Sequence, residues 1–156
     1  MAIRRTGHVA LRVRDLEAAR HFYSDILGMR IGEEWPGRAI FFRFNDYHHD
    51  IVVFKADDDA EPASQRHAGA AHIAFLADDF ETVRNIYRRL RDNDVRVRCT
   101  DHGFTKSVYF NDPDGIELEV YAEVPEFDWR KEGLGKREPF DMEELSRSQP
   151  KTAPGR

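Results

Sequence analysis

Apolar positions along the chain fall into two alternating periods. Val9, Leu11 and Val13 alternate with His8, Ala10 and Arg12. A period of two is the pattern of a half-buried strand, and it sets His8 on the face opposite the three aliphatics. Leu16, Ala19, Phe22, Tyr23 and Ile26 then follow at helical spacing. Asp15 stands at the expected N-cap, Glu17 lies in the first turn where the helix dipole favours acids, and Gly28 stops the helix. Three strands are predicted next, over Arg30–Glu34, Arg38–Phe44 and His49–Phe54, broken by Pro36-Gly37 and Asn45-Asp46.

The same grammar recurs. Residues 7–23 and 71–87 align at a constant offset of 64, with six identities: His8/His72, Ala10/Ala74, Asp15/Asp79, Glu17/Glu81, Arg20/Arg84 and Tyr23/Tyr87. A second helix is predicted through Phe80, Val83, Ile86, Tyr87 and Leu90, closed by Asp92-Asn93. Strands follow at Val95–Thr100, Thr105–Phe110 and Ile116–Tyr121, with a strong turn at Asn111-Asp112-Pro113-Asp114-Gly115. The chain therefore reads as α+β, a βαβββ unit occurring twice. Residues 6–55 form the first module, the polar stretch 56–70 a linker, and 71–122 the second module, so that 1–122 make one domain. Residues 123–156 leave the pattern as a C-terminal extension. A short helix is expected over Phe140–Leu145, and mobility in the closing SQPKTAPGR.

Composition narrows the function. With 24 basic and 29 acidic residues the net charge is −5, and no long Lys/Arg cluster provides the basic face a nucleic acid needs. The single cysteine, Cys99, excludes an intrachain disulfide and a thiolate zinc site. It reads as a small hydrophobe in or beside a strand. No apolar run reaches the ~20 residues that span a bilayer, and the N-terminus lacks a signal-peptide pattern. A cytoplasmic protein without a membrane partner is the expectation.

Candidate chemistry begins with His8 and His72. One such histidine is more often structural than ligating, but two at equivalent positions of a repeat are brought to equivalent places if the units pair into one curved sheet. A third donor is sought on the last strand, where Glu117 and Glu119 share a face. Glu117 reads as solvent-facing. Glu119, flanked by Leu118 and Val120, is the better buried carboxylate, and burial of a carboxylate is costly unless a cation pairs with it. Two imidazoles and one carboxylate with open positions are the donor set of non-haem Fe(II) oxygenases.

The segment from Phe110 to Glu119 resembles the FxDPxGxxxE signature of the vicinal oxygen chelate superfamily, which includes glyoxalase I, fosfomycin-resistance proteins and type I extradiol dioxygenases. The resemblance covers roughly residues 6–122. It implies a curved mixed sheet of two modules around a metal site, with His8, His72 and Glu119 as ligands. Glyoxalase I enzymes add a carboxylate from the last strand of the first module, and Ile51-Val52-Val53-Phe54 contains none. The stretch Tyr47-His48-His49-Asp50-Ile51 is similar to the H-D-hydrophobic segment of extradiol dioxygenases, which makes His49 the acid/base. Asp101-His102-Gly103-Phe104-Thr105 resembles their loop with a second active-site histidine, although the interval from His102 to Asp112 is shorter than theirs. Tyr109 matches a tyrosine near their substrate.

Taken singly, His48-His49 could be a polar hairpin, His102-Gly103 a turn and Tyr109 core; their joint match favours the site. His21 and His67 match nothing and read as surface. The resemblance thus implies an Fe(II) enzyme that cleaves a catechol with O2, in a chain that forms a homo-oligomer. The rivals are a lyase, isomerase or fosfomycin-type transferase using Mn(II), Ni(II) or Zn(II), and a drug-binding resistance protein. A fosfomycin-type enzyme needs a cationic pocket, against which the acidic balance argues, and drug-sequestering members often lack the ligands.

Overall fold

A computed structural model describes Ala2 and residues 5–125, 127–133 and 137–144. Its contacts divide the chain into two units. One comprises the described residues up to Ser64 together with Asp112–Gly115. The other comprises Gln65–Asn111 and the described residues from Ile116 onward. Each unit carries one mixed sheet, so the α+β reading holds. Among the described residues, no helix is long and apolar enough to cross a membrane.

In the first unit β1 (Val9–Val13) leads into α1 (Leu16–Arg20), which continues as a π-helical turn over His21–Ile26, followed by β2 (Arg30–Trp35), β3 (Ala39–Arg43) and β4 (Ile51–Lys55). The sheet order is β1-β4-β3-β2, with β1 parallel to β4 and the other pairs antiparallel. Parallel β1 and β4 need a crossover, and the helix supplies it. Asp15 caps α1 by accepting from the backbone N–H of Glu17 and Ala18. The widened turn has a packing reason: Phe22, Tyr23, Ile26 and Leu27 are all buried, and i→i+5 bonding such as Leu27 N–H to Phe22 O (3.0 Å) directs all four inward. They close a core with Val13, Ile40, Phe42, Ile51 and Val53. Gly28 ends the helix with φ +81°, a conformation glycine adopts without a Cβ penalty.

The Asp112–Gly115 turn packs within this first unit. The Tyr23 hydroxyl, fully buried, donates to Asp112 Oδ2 at 2.9 Å. Asp112 Oδ1 accepts from the Asp114 N–H, and Asp114 Oδ1 accepts from both the backbone and the Nε of Arg14. Gly115 has φ +87°, and a Cβ there would lie 2.7 Å from the Ala63 carbonyl oxygen, so only glycine fits. The acids of this turn serve its structure.

The second unit repeats the plan. β5 (Ile73–Leu76), α2 (Phe80–Asp92), β6 (Val97–Asp101), β7 (Thr105–Asn111) and β8 (Glu117–Glu123) give the order β5-β8-β7-β6, extended by a short β9 (Glu138–Pro139) on the β6 edge. Asp79 caps α2 through the N–H of Thr82. Its core contains Val83, Leu90, Val108, Leu118 and Met142. Equivalent Glu–Arg pairs survive in both copies, Glu17–Arg20 at 3.2 Å and Glu81–Arg84 at 2.7 Å.

Three expectations change. The strand expected from His49 begins at Ile51, because Asp50 ends the pairing: its N–H bonds Phe42 O and its carboxylate accepts from the Phe44 N–H. His49 therefore sits on a loop. The extension supplies a helix α3 (Trp129–Glu132) and the β9 strand, neither foreseen. The helix expected over 140–145 is a single 3-10 turn, Met142–Glu144, anchored by fully buried Met142 and by Arg88 paired with Glu143 at 2.6 Å. Leu145 and the closing SQPKTAPGR lie outside the described residues.

Candidate metal centre and its neighbours

Strand register builds one row of side chains across the second sheet. Arg98 on β6 faces Tyr109 on β7, Tyr109 faces Glu119 on β8, and Glu119 faces Ala74 on β5. Leu118, Val120 and Ala122 on the alternate positions of β8 are buried, and period two turns Glu119 to the opposite side. Glu119 is still only 7% exposed. His72, two residues before Ala74, brings its Nε2 to 3.1 Å from Glu119 Oε2.

Tyr109 meets this pair edge-on: its ring centroid is 5.6 Å from that of His72, at 90°. The phenol is hydrogen-bonded at 2.9 Å to Nε2 of His102. Burial first, and then the negative charge of Glu119, push the phenol up to about 12. It is therefore a neutral hydrogen-bonding group at neutral pH. His102 is held on the β6–β7 turn by its N–H to Thr105 O (2.9 Å), with Gly103 beside it at φ +83°. A cavity of about 330 Å³ opens here, lined by Tyr109, Glu119, His102, Phe104, Tyr121 and Ala74.

Arg98 is a neighbour that motif reasoning missed. Its guanidinium lies 4.2 Å from the Tyr109 ring centroid, held there by Glu117 at 2.9 Å and Thr100 at 3.0 Å. Glu117, expected to be solvent-facing, is half-buried in this pair. The signal available was alternation along β6, which places Arg98 opposite Tyr109 once the register is known.

The first unit has an equivalent row, Glu33, Phe41, Val52 and Ala10. Since Ala10 and Ala74 are repeat partners, Val52 is the counterpart of Glu119. It is apolar and 2% exposed, so this position offers no fourth carboxylate. The structure brings His8 and His49 together, with ring centroids 4.4 Å apart. His49 also packs edge-on against Phe41 and lies with its Nδ1 2.7 Å from that of His48. Burial, then the neighbouring imidazoles of His8 and His48, hold His49 below the usual histidine value. His49 is thus neutral and able to accept a proton at pH 7. His21 and His67 are exposed, as expected, and His21 pairs with Asp25 at 2.8 Å.

The predicted site residues therefore fall into two groups, His8 with His49 and His72 with Glu119, Tyr109 and His102. Among the described residues, no group of three or more His, Cys, Asp or Glu is gathered as a metal cluster. The donor chemistry of the second group nevertheless fits a divalent ion: an imidazole nitrogen converges on a carboxylate oxygen that is buried and requires a cationic partner.

Comparison with known proteins agrees with this fold. The sequence profile of the Glyoxalase/Bleomycin resistance protein/Dioxygenase superfamily matches residues 5–120. The chain is 31% identical over 120 residues to biphenyl-2,3-diol 1,2-dioxygenase 3 of Rhodococcus globerulus, covering 74% of this chain and 63% of that protein. It spans less than two thirds of that dioxygenase. It is 29% identical over 123 residues to metallothiol transferase FosB of Staphylococcus saprophyticus, covering 77% of this chain and 78% of that one. The solved glyoxylase/bleomycin resistance protein/dioxygenase domain from Frankia sp. EAN1pec, at 21% identity, superimposes with a TM-score of 0.67 over 79% of this chain and 100% of its own, a likeness of fold. With the repeated βαβββ plan, the acid on the last strand and a profile match over most of its length, the chain belongs to the Glyoxalase/Bleomycin resistance protein/Dioxygenase superfamily.

Proposed function

We propose that the chain is an Fe(II)-dependent extradiol dioxygenase of the catechol 2,3-type, in which His8, His72 and Glu119 hold the metal and His49, His102 and Tyr109 act on the substrate. The observation that carries this reading is the contact of His72 with Glu119, which lines one cavity together with the hydrogen-bonded Tyr109–His102 pair. The dioxygenase relative supports it. A bound Fe(II) would acidify a vicinal diol and hold it beside O2.

The protein's own groups do the rest. Neutral His49 takes the proton of one hydroxyl and later returns it to an oxygen of the opening ring, a task suited to an imidazole titrating below neutrality. Tyr109, kept protonated, donates a hydrogen bond to a substrate oxygen, and His102 fixes the direction of that hydroxyl. Phe104 and Tyr121 line the cavity with surface on which an aromatic ring can pack. Both atoms of O2 end in the ring-opened semialdehyde.

The test is metal analysis of anaerobically purified protein, followed by a catechol panel under air. Iron at one per chain, O2 uptake and a yellow product are expected. A chain that holds iron but consumes no O2 with any catechol refutes the assignment. A second reading, a metal-dependent thiol transferase, is favoured by the FosB relative, of whose length the chain covers 78%. It predicts Mn(II), Ni(II) or Zn(II) instead of iron, and thiol transfer to an epoxide.

A further inference from the structure

The first unit has a cavity of its own, about 440 Å³, lined by Gly32, Glu33, Trp35, Phe41, Arg43, His48 and His49. It is built by the irregular pairing of β2 with β3. The register slips between Ile31 and Glu33, and Gly32 stands at the slip. A Cβ on Gly32 would lie 2.9 Å from the His48 carbonyl oxygen and 3.6 to 3.7 Å from Cδ and Nε of Arg43. Glycine there lets the loop and the Arg43 side chain approach the strand.

One wall is aromatic. Trp35 packs edge-on against Phe41 at 5.0 Å, Phe41 against His49 at 5.2 Å, and Trp35 is 42% exposed. The cavity is also lined by a guanidinium, that of Arg43. The Nε of Arg43 is buried and makes no hydrogen bond. Among the described residues, no carboxylate lies within ion-pair distance of its guanidinium. A buried guanidinium N–H without an acceptor is costly, and such groups call for an explanation. Of the lining residues only Glu33 is acidic, and its carboxylate is engaged by the Trp35 indole N–H at 2.9 Å.

We propose that this cavity receives an anionic substituent of the substrate, a carboxylate on a short arm attached to the aromatic ring, with Arg43 as the specificity-determining residue and Trp35 and Phe41 packing the arm. The assignment rests on the dioxygenase reading for the ring. It follows for the anion from Arg43 alone: a guanidinium is planar, always charged and matched to two carboxylate oxygens. His49 lines this cavity and packs against His8, both within the first unit. The proposal narrows the substrate class from catechols in general to acid-bearing ones, such as dihydroxyphenyl alkanoates.

Equilibrium binding without turnover separates this proposal from the one it rests on. In the full chain carrying Trp129→Phe, fluorescence reports Trp35. Quenching by 3-phenylpropionate, 3-phenylpropanol and propylphosphonate is titrated, and folding of each variant is verified by circular dichroism. The acid should bind about 10-fold or more tightly than the alcohol. Arg43→Gln should erase that preference, and Arg43→Lys should keep part of it. Equal affinities, or a preference that survives Arg43→Gln, overturn the proposal. Tighter binding of propylphosphonate than of the aryl acid overturns the carboxylate in favour of a phosphonate ligand. An Arg43-dependent preference for the acid, with no O2 uptake from any catechol, upholds the anion site and refutes the dioxygenase reading. Oxygen uptake with equal KM for 4-methylcatechol and 3,4-dihydroxyphenylacetate upholds the dioxygenase and refutes the anion site.

Discussion

His49 and Glu119 do different work, and single substitutions separate them. His49→Ala removes a proton acceptor and no proposed ligand. It should retain iron at the wild-type stoichiometry while turnover with a catechol falls about 10²–10⁴-fold. Normal turnover would exclude the acid/base role. Glu119→Ala removes the buried carboxylate beside His72. It should purify without metal, and stoichiometric iron in that variant would exclude Glu119 as a ligand. Cys99 gives a pH prediction. Burial disfavours its thiolate and raises the thiol to about 11, so reactivity rises with pH up to that value. At pH 8 only roughly one thiol in a thousand is ionised. Thiol labelling of the native chain should be slow at pH 8, accelerate about tenfold per pH unit up to pH 10, and become fast in denaturant.

At the scale of elements, the repeat shows which features a module needs and which it can vary. Both copies keep an aspartate N-cap and the Glu–Arg pair of the first helical turns. Asp79→Ala should cost about 1 kcal/mol, measured by urea unfolding. The two sheets diverge where chemistry enters: the row Arg98–Tyr109–Glu119 in one sheet is Glu33–Phe41–Val52 in the other. The second sheet also gains β9 and the Met142 plug, which cover the β6 edge. An uncovered edge strand invites pairing with another chain. Met142→Ala empties a fully buried site and should destabilise by about 2–4 kcal/mol; unfolding at unchanged denaturant midpoint would show that the plug is not part of the cooperative core.

For the molecule as a whole, metal binding and stability are linked. An ion that binds only the folded chain stabilises it, by about 2.7 kcal/mol at a hundredfold excess over Kd. Fe(II) added anaerobically should raise Tm, a chelator should reverse the rise, and Glu119→Ala should abolish it. Much of this molecule was legible beforehand because local rules set it. The period of two in Val9–Val13, the capped stripes after Asp15 and Asp79, and the 64-residue repeat specified two βαβββ units and singled out His8 and His72 as candidate ligands. Hydrophobic periodicity reports which face of an element is buried, and repetition carries that report from one copy to the other. Neither reports which residues of different strands stand opposite one another. Pairing register, a property of distant segments, set Arg98 on Tyr109 and made Val52 the counterpart of Glu119. A single slip at Gly32 accompanies the cavity beside Arg43, whose Nε has no acceptor among the described residues. Long-range packing likewise began β4 only at Ile51, leaving His49 on a loop against His8, and buried Met142 in a tail whose isolated apolar residues carry no period of their own.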